Sequence, residues 1–321
     1  MAEVFTADDI DFSAYLTVTD AKQKVKSAAL YVQELIDRIK SPVREHRNVM
    51  PWRKTHQLVQ FRPGEVTVWG GANGSGKSLV TGQVALSLCA QRERVCIASF
   101  EMKPVRTLER MCRQYSCFNP NAAFMDDEAK ALLIDIYDEF KGWTDGKLWL
   151  YDQQGTVTAA QVCAVARYFH QELKGTHFVV DSLMKCVSGE DDYNGQKKFV
   201  DDLTSIARDS GMHIHLIHHI RKPGKEEDKP SKYDYKGSGS ITDQVDNVIS
   251  VWRNKVKEKK IQAGQAVDHD KDPDAMLICD KQRNGEWEGN IGLWFDPESQ
   301  QFLANNGDAA DDKTFYHPEE R

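Results

Sequence analysis

The sequence predicts an α/β protein whose mainly parallel sheet carries helices on both faces, and three observations support this. From about residue 58, short runs rich in β-branched and aromatic residues alternate with segments of helical periodicity. A glycine-rich stretch, GANGSGKS at residues 71–78, stands between one such run and one such segment. Toward the C-terminus the alternation stops, and three strand-like runs joined by turns such as Asn284-Gly285 read as antiparallel edge strands.

In chain order, residues 1–50 read as a segment apart from the main domain. Residues 1–20 are acidic and poorly patterned, and are expected to be flexible. Between about 21 and 40, Val25, Ala28, Ala29, Val32, Leu35, Ile36 and Ile39 recur at spacings of three and four, the stripe of an amphipathic helix. Ser41-Pro42 ends it, because a residue before proline is pushed out of the helical region. That stripe must be covered, either by the chain's own core or by a neighbouring subunit. The main domain is expected over 51–305, with strands at 66–69, 95–100, 148–151, 178–181, 213–218 and 248–252. Helices are expected at 78–90, 104–117, 127–140, 158–173 and 194–209, and edge strands at 276–283, 290–295 and 301–304. The polar segments 221–238 and 254–274 read as loops, and 306–321 as an acidic disordered tail.

Composition narrows the class. Apolar residues make up 40% of the 321 and charged residues 28%, the balance of a folded soluble domain. No run approaches the ~18 apolar residues of a membrane span, and the acidic N-terminus lacks a secretion signal, so a cytoplasmic protein without membrane partners is expected. A net charge of −7 excludes a protein that coats nucleic acid with its whole surface, but not one that holds a strand in a basic channel. The seven cysteines are odd in number and form no C-x-x-C pair, so they read as buried reduced thiols, not zinc ligands.

The glycine-rich stretch fits G-x-x-x-x-G-K-[ST] with a strand before it and a helix after it, the context a phosphate-binding loop requires. Gly71, Ala72, Asn73, Gly74, Ser75, Gly76, Lys77, Ser78 and Leu79 are the expected cradle for ATP or another NTP. Glycines let backbone N–H groups turn onto the phosphates, and the helix N-terminus adds its positive end. Lys77 would reach the terminal phosphates, and the Ser78 hydroxyl would hold Mg²⁺. The apolar run THFVVDSL ends in Asp181, the second expected magnesium-side residue. Ser182 follows it where AAA-type motors place a glutamate, so a base must come from elsewhere. Glu101, at the end of RVCIASFEM, is the candidate, provided these two strands neighbour the phosphate-loop strand.

Lys281 and Arg283 stand two apart on a strand, so both face one way. They suit a cation pair that reaches another subunit's nucleotide, or else a charged edge that discourages aggregation. HIHLIHH carries His213, His215, His218 and His219 without the aspartate of a metallohydrolase, and the first two read as space-filling. The loop 221–238 interleaves Arg221, Lys222, Lys225, Lys229, Lys232 and Lys236 with Tyr233 and Tyr235, a composition suited to tracking single-stranded nucleic acid.

The strand-end SFEM after a phosphate loop, with a lone aspartate ending the second apolar strand, resembles the RecA-like domain of hexameric replicative helicases of the DnaB family. The likeness is nearest to the phage primase-helicase and Twinkle branch and covers about residues 45–305. LIHHIRKP, YKGSGSITDQVDNVISVWRN and CDKQRNGEWEGNIGLWFDPESQQF resemble the family's later motifs. The resemblance implies a RecA-like P-loop NTPase fold and a ring, six subunits being expected, that travels 5′ to 3′ on single-stranded DNA. It also implies a γ-phosphate sensor at His219, DNA contacts at Lys232, Lys236, Gly237 and Gly239, and trans-acting cations at Lys281 and Arg283. The chain has neither the cysteine pairs of a primase zinc ribbon nor a long helical N-terminal domain, so primase, polymerase or loader would be separate partners. If phage-encoded, the protein would work in the host cytoplasm. A RecA-type recombinase or clock-type ATPase shares the phosphate loop, Glu101 and Asp181, but not the Lys-x-Arg hairpin.

Overall fold

The computed structural model describes residues 3–5, 48–120, 126–153, 155, 157–189, 191–220, 228–235 and 240–310, and five positions between 28 and 40. Its first part runs β1 (Glu3–Phe5), β2 (Asn48–Val49), β3 (Gln60–Phe61), β4 (Val66–Gly71), α1 (Lys77–Ala90) and β5 (Val95–Ser99). Next come α2 (Pro104–Ser116), α3 (Asp127–Thr144), β6 (Leu148–Tyr151), α4 (Ala159–Leu173), β7 (His177–Asp181), α5 (Tyr193–Ser210) and β8 (His213–His219). The last part holds α6 (Ser240–Gln244), β9 (Asn247–Arg253), α7 (Lys255–Gln262), β10 (Ala275–Gln282), β11 (Gly289–Asp296) and β12 (Gln301–Leu303).

One ten-stranded sheet runs β1-β6-β5-β7-β8-β4-β9-β10-β11-β12. It is parallel from β1 to β9 and antiparallel from there to β12. The central strands are buried throughout, as a sheet covered on both faces requires. Alternation of side chains along β4 sends Trp69 to one face, with α1, α2 and α3, and Val66 and Val68 to the other, with α4, α5 and α6. Local signals start and stop these helices. Pro104 opens α2, a reciprocal Thr158–Gln161 capping box opens α4, and Gly211 at φ +75° closes α5.

Four expectations need correction. The strands ending at Glu101 and Asp181 do not neighbour β4: β8 lies between β7 and β4, and β5 is one strand further out. Residues 254–274 are not all loop, because Asn254 caps α7 by accepting from Lys257 N, and Lys257 is buried against Asp274 at 2.8 Å. Glu3–Phe5 forms an edge strand beside β6, three residues being too few for a periodic pattern to register. Tyr235 is buried rather than presented to nucleic acid. Of the 21–40 helix, Ala28, Val32, Ile36, Asp37 and Lys40 are described; all five are helical and exposed. Residues 311–321 lie outside the described residues.

All seven cysteines are free, and six are buried. His213 and His215 pack with His177 in a buried trio. The Trp69 indole donates to His215 Nδ1 at 3.2 Å, so His215 Nε2 carries the hydrogen and donates to His177 Nδ1 at 3.1 Å. His177 Nε2 meets the Asn48 amide at 2.8 Å, while His213 lies between Arg62 O at 2.7 Å and Thr67 Oγ1 at 2.9 Å. The Trp69 indole thereby fixes the His215 tautomer, and the Arg62 carbonyl keeps the His213 hydrogen on Nδ1. Burial drives the His213 pKa down to about 4 and those of His177 and His215 well below the ordinary value.

Candidate active site

The site lies at the C-terminal ends of the parallel strands, where successive strand ends converge. β4 delivers Gly71 and α1 begins at Lys77, with Gly76 as its N-cap at φ +93° and Gly74 at φ +74°, both left-handed. No side chain caps α1, so its first N–H groups stay available to an anion. A Cβ on Gly71 would stand 2.4 Å from Ser75 Oγ and 2.7 Å from Val251 O, which is why the loop can close only over glycine there. Lys77 folds back over the loop and donates to Gly71 O and Ala72 O, both at 2.9 Å. Burial lowers its pKa to about 8, against the opposing pull of Asp181 and Glu101.

Ser78 Oγ donates to Asp181 Oδ2 at 2.7 Å, bringing together the two oxygen groups expected to hold Mg²⁺. Hard oxygen donors at a phosphate loop fit that ion. Burial raises the Asp181 pKa. Register pairs Ser99 with Asp181 and Gly71 with His219, so Glu101, two residues past Ser99, emerges beside both. His219 Nε2 lies 3.6 Å from Glu101 Oε1, and Ser182 Oγ donates to the same oxygen at 3.2 Å. The His219 imidazole, then Ser182, hold Glu101 below the usual carboxylate range despite its partial burial, so it is an available proton acceptor at neutral pH. The inserted β8 explains how a carboxylate with two strands between it and the loop reaches the site: His219, at the end of β8, bridges the gap.

Lys77, Ser78, Glu101, Asp181 and His219 line one cavity of about 410 Å³. Two further residues line it that sequence reasoning missed. Arg110 projects from α2, nine residues past Glu101, and donates to Met102 Sδ at 2.9 Å. Its signal was there, a cation on the first helix after the strand end, but it sits in the alternating charges of PVRTLERMCRQYS. Gln300 enters from the β11–β12 turn at φ +57°. A second cavity of about 410 Å³ opens on the other side of the loop. It shares Gly74, Gly76 and Leu79 with the first and is walled by Phe295, Pro297, Phe302 and the Arg253–Glu258 ion pair.

Lys281 and Arg283 do not enter either cavity. A β-bulge separates Cys279 from Lys281 in the pairing with β9, yet both cations reach the carbonyls at the end of α6. Lys281 Nζ donates to Thr242 O at 2.7 Å, Asp243 O at 3.0 Å and Val245 O at 2.8 Å. Arg283 donates to Asp243 O at 3.1 Å and pairs with the buried Asp246 at 3.0 Å. Burial lowers the Lys281 pKa. Of the expected DNA contacts, Lys232 is described, its Nζ 5.7 Å above the exposed Tyr233 ring; Lys236, Gly237 and Gly239 lie outside the described residues, as do Arg221, Lys222 and Lys225. Among the described residues no group of three or more His, Cys, Asp or Glu side chains is arranged to hold a metal ion, and no helix is long and apolar enough to cross a membrane.

The family model described as the DnaB-like helicase C terminal domain matches residues 55–304. Two solved structures share the fold. One, of a DnaB-like replicative helicase studied with its interactions with primase, is 15% identical with a TM-score of 0.70, over 87% of this chain and 67% of that one. The other, described as an ATPase domain, is 15% identical with a TM-score of 0.72, over 87% of this chain and 99% of that one.

Proposed function

The chain belongs to the DnaB-like helicase C-terminal domain family and carries a replicative-helicase-type ATPase domain, and on that premise we propose that it is the motor of a ring, of six subunits, that moves 5′ to 3′ along single-stranded DNA and unwinds duplex. The observation that carries this reading is the convergence of Ser78, Asp181, Glu101 and His219 on one strand-end cavity, with the Lys281–Arg283 pair outside it. A hydrolytic site with its base in place but that cation pair facing elsewhere is what an intersubunit site would look like from one protomer.

In this reading the phosphates of ATP displace Lys77 from the Gly71 and Ala72 carbonyls, and the nucleoside occupies the cavity walled by Phe295 and Phe302. Ser78 and Asp181 would hold Mg²⁺, which would supply charge neutralisation for the terminal phosphates. Glu101 accepts a proton from the attacking water, Arg110 adds a cation from the same chain, and Arg283 of an adjacent subunit neutralises the charge that develops in the transition state. His219 distinguishes phosphate present from phosphate gone through its contact with Glu101. Residues 51–305 form the motor, and the 21–40 helix, whose exposed Val32 and Ile36 are apolar, docks on a neighbour. Primase, polymerase or loader act as separate chains in the same cytoplasm.

A forked duplex with one 5′ and one 3′ single-stranded arm tests this. ATP-dependent unwinding that requires the 5′ arm is the expected result. Coating of the strand followed by strand exchange, with no unwinding, would instead make the protein a recombinase.

A further inference from the structure

We infer that Glu258 is a specificity-determining residue whose carboxylate accepts from the sugar hydroxyls of the bound nucleotide and so selects ribonucleotides over deoxyribonucleotides. This rests on the reading above that the nucleoside occupies the cavity walled by Phe295 and Phe302.

The phosphate loop fixes where the sugar must lie. Gly74, Gly76 and Leu79 line both cavities, so a nucleotide with its phosphates on the Ser78 side crosses the loop there. The sugar is bonded directly to the first phosphate and is therefore the first part of the nucleoside past the loop. Arg253, at the end of β9, donates from Nη1 to Gly74 O at 3.3 Å. The same guanidinium donates from Nε to Glu258 Oε1 and from Nη2 to Glu258 Oε2, the latter at 3.0 Å. A single guanidinium thus links the Glu258 carboxylate to the loop backbone, which sets it level with the sugar. The apolar wall of Phe295, Pro297 and Phe302 is left for the base.

The carboxylate is held in advance of any ligand. Asn254 caps α7 by accepting from Lys257 N, and its amide donates to Pro273 O at 3.0 Å. The buried Lys257 pairs with Asp274 Oδ1, while Asp274 Oδ2 accepts from Phe295 N at 3.0 Å. These bonds pin α7 to the strand that supplies the apolar wall. Glu258 and Gln262, four residues apart, turn one side of the helix to the cavity. Asp274 also lines it, but both of its oxygens are occupied by the pinning bonds. Glu258 has capacity left, with its side chain 34% exposed. A carboxylate offers about four acceptor positions, and Arg253 fills two of them. A ribose brings two adjacent O–H donors to the remainder, and a deoxyribose brings one. Carboxylates accept from ribose hydroxyls in the same way in dinucleotide-binding folds.

The test is calorimetric titration with ADP, 2′-deoxy-ADP and 3′-deoxy-ADP in the presence of Mg²⁺, on the wild type, Glu258→Ala and Glu258→Gln. Diphosphates keep hydrolysis out of the measurement. The wild type should bind ADP about tenfold more tightly than either deoxy form, the scale of one hydrogen bond to a charged group. Glu258→Ala should bind all three within about twofold of one another. Glu258→Gln, which keeps the side chain's volume but not its charge, should retain a preference of about threefold. A wild type that binds the three alike overturns the inference and leaves the helicase reading intact. A Glu258→Ala protein that weakens equally for all three, with the tenfold preference kept, also overturns it, because Glu258 would then only hold Arg253 in place. A wild type that binds none of the three overturns the nucleotide-site reading itself, a result separable from the others.

Discussion

Two clusters of charge in this molecule handle their exposed chemistry in opposite ways. At the strand ends, Lys77, Ser78, Asp181, Glu101 and His219 gather around one cavity. At the β10 edge, Lys281 and Arg283 turn away from that cavity and rest on carbonyls of their own chain, with Asp246 as counter-ion. The first cluster is arranged for a ligand to enter; the second is held in place with its charge partly spent. The difference teaches that the strand-end groups converge on an open cavity, whereas the Lys281–Arg283 pair is already engaged by carbonyls and a carboxylate of its own chain.

The largest effect expected from breaking this contrast is on Arg283. Arg283→Ala should lower DNA-stimulated turnover about 10³-fold, the scale of a trans-acting arginine, while affinity for ATP stays within a few-fold. Steady-state hydrolysis with and without oligonucleotide, paired with a nucleotide titration, measures both. On the other side, Glu101→Gln should bind ATP and hydrolyse it about 100-fold more slowly, the loss expected of a general base. Single-turnover hydrolysis is the measurement, and a near-normal rate would move the base to another residue.

Smaller effects follow from titration. His177, His213 and His215 stay neutral in the fold but take up protons in the unfolded chain from about pH 6.5 downward. The fold's stability is therefore complete above that pH and falls below it, by about 2 kcal/mol per histidine at pH 5, readable as a drop in the urea midpoint. Lys77, at about 8 in the nucleotide-free protein, is charged below that pH and must regain a proton on binding above it. Affinity for ATP should weaken by up to about tenfold between about pH 8 and pH 9, and Lys77→Arg should flatten that dependence.

The contrast also marks what the sequence reveals. The phosphate loop and Asp181 were legible because their constraints are local: glycines where φ is positive, a hydroxyl at a helix start, an aspartate ending an apolar run. Glu101 was legible as a strand-end carboxylate, but its path to the site was not, since strand order is set by long-range packing and β8 intervenes. Arg110 was hidden because helical periodicity places a residue on a face without saying what that face meets. Tyr235 read as a nucleic-acid contact from its basic neighbours, and only tertiary packing on Gly70 buries it. α7 was hidden in a polar stretch whose one buried lysine, Lys257, is solvated by Asp274 instead of water.

The most direct measurement mixes two crippled proteins. Glu101→Gln keeps Arg283 but lacks the base; Arg283→Ala keeps the base but lacks the finger. If the pocket is completed between copies joined head to tail, an equal mixture should regain hydrolysis at about a quarter of its interfaces, with activity peaking near equal proportions. A mixture that stays as inactive as its two components would mean that each site is complete within one chain.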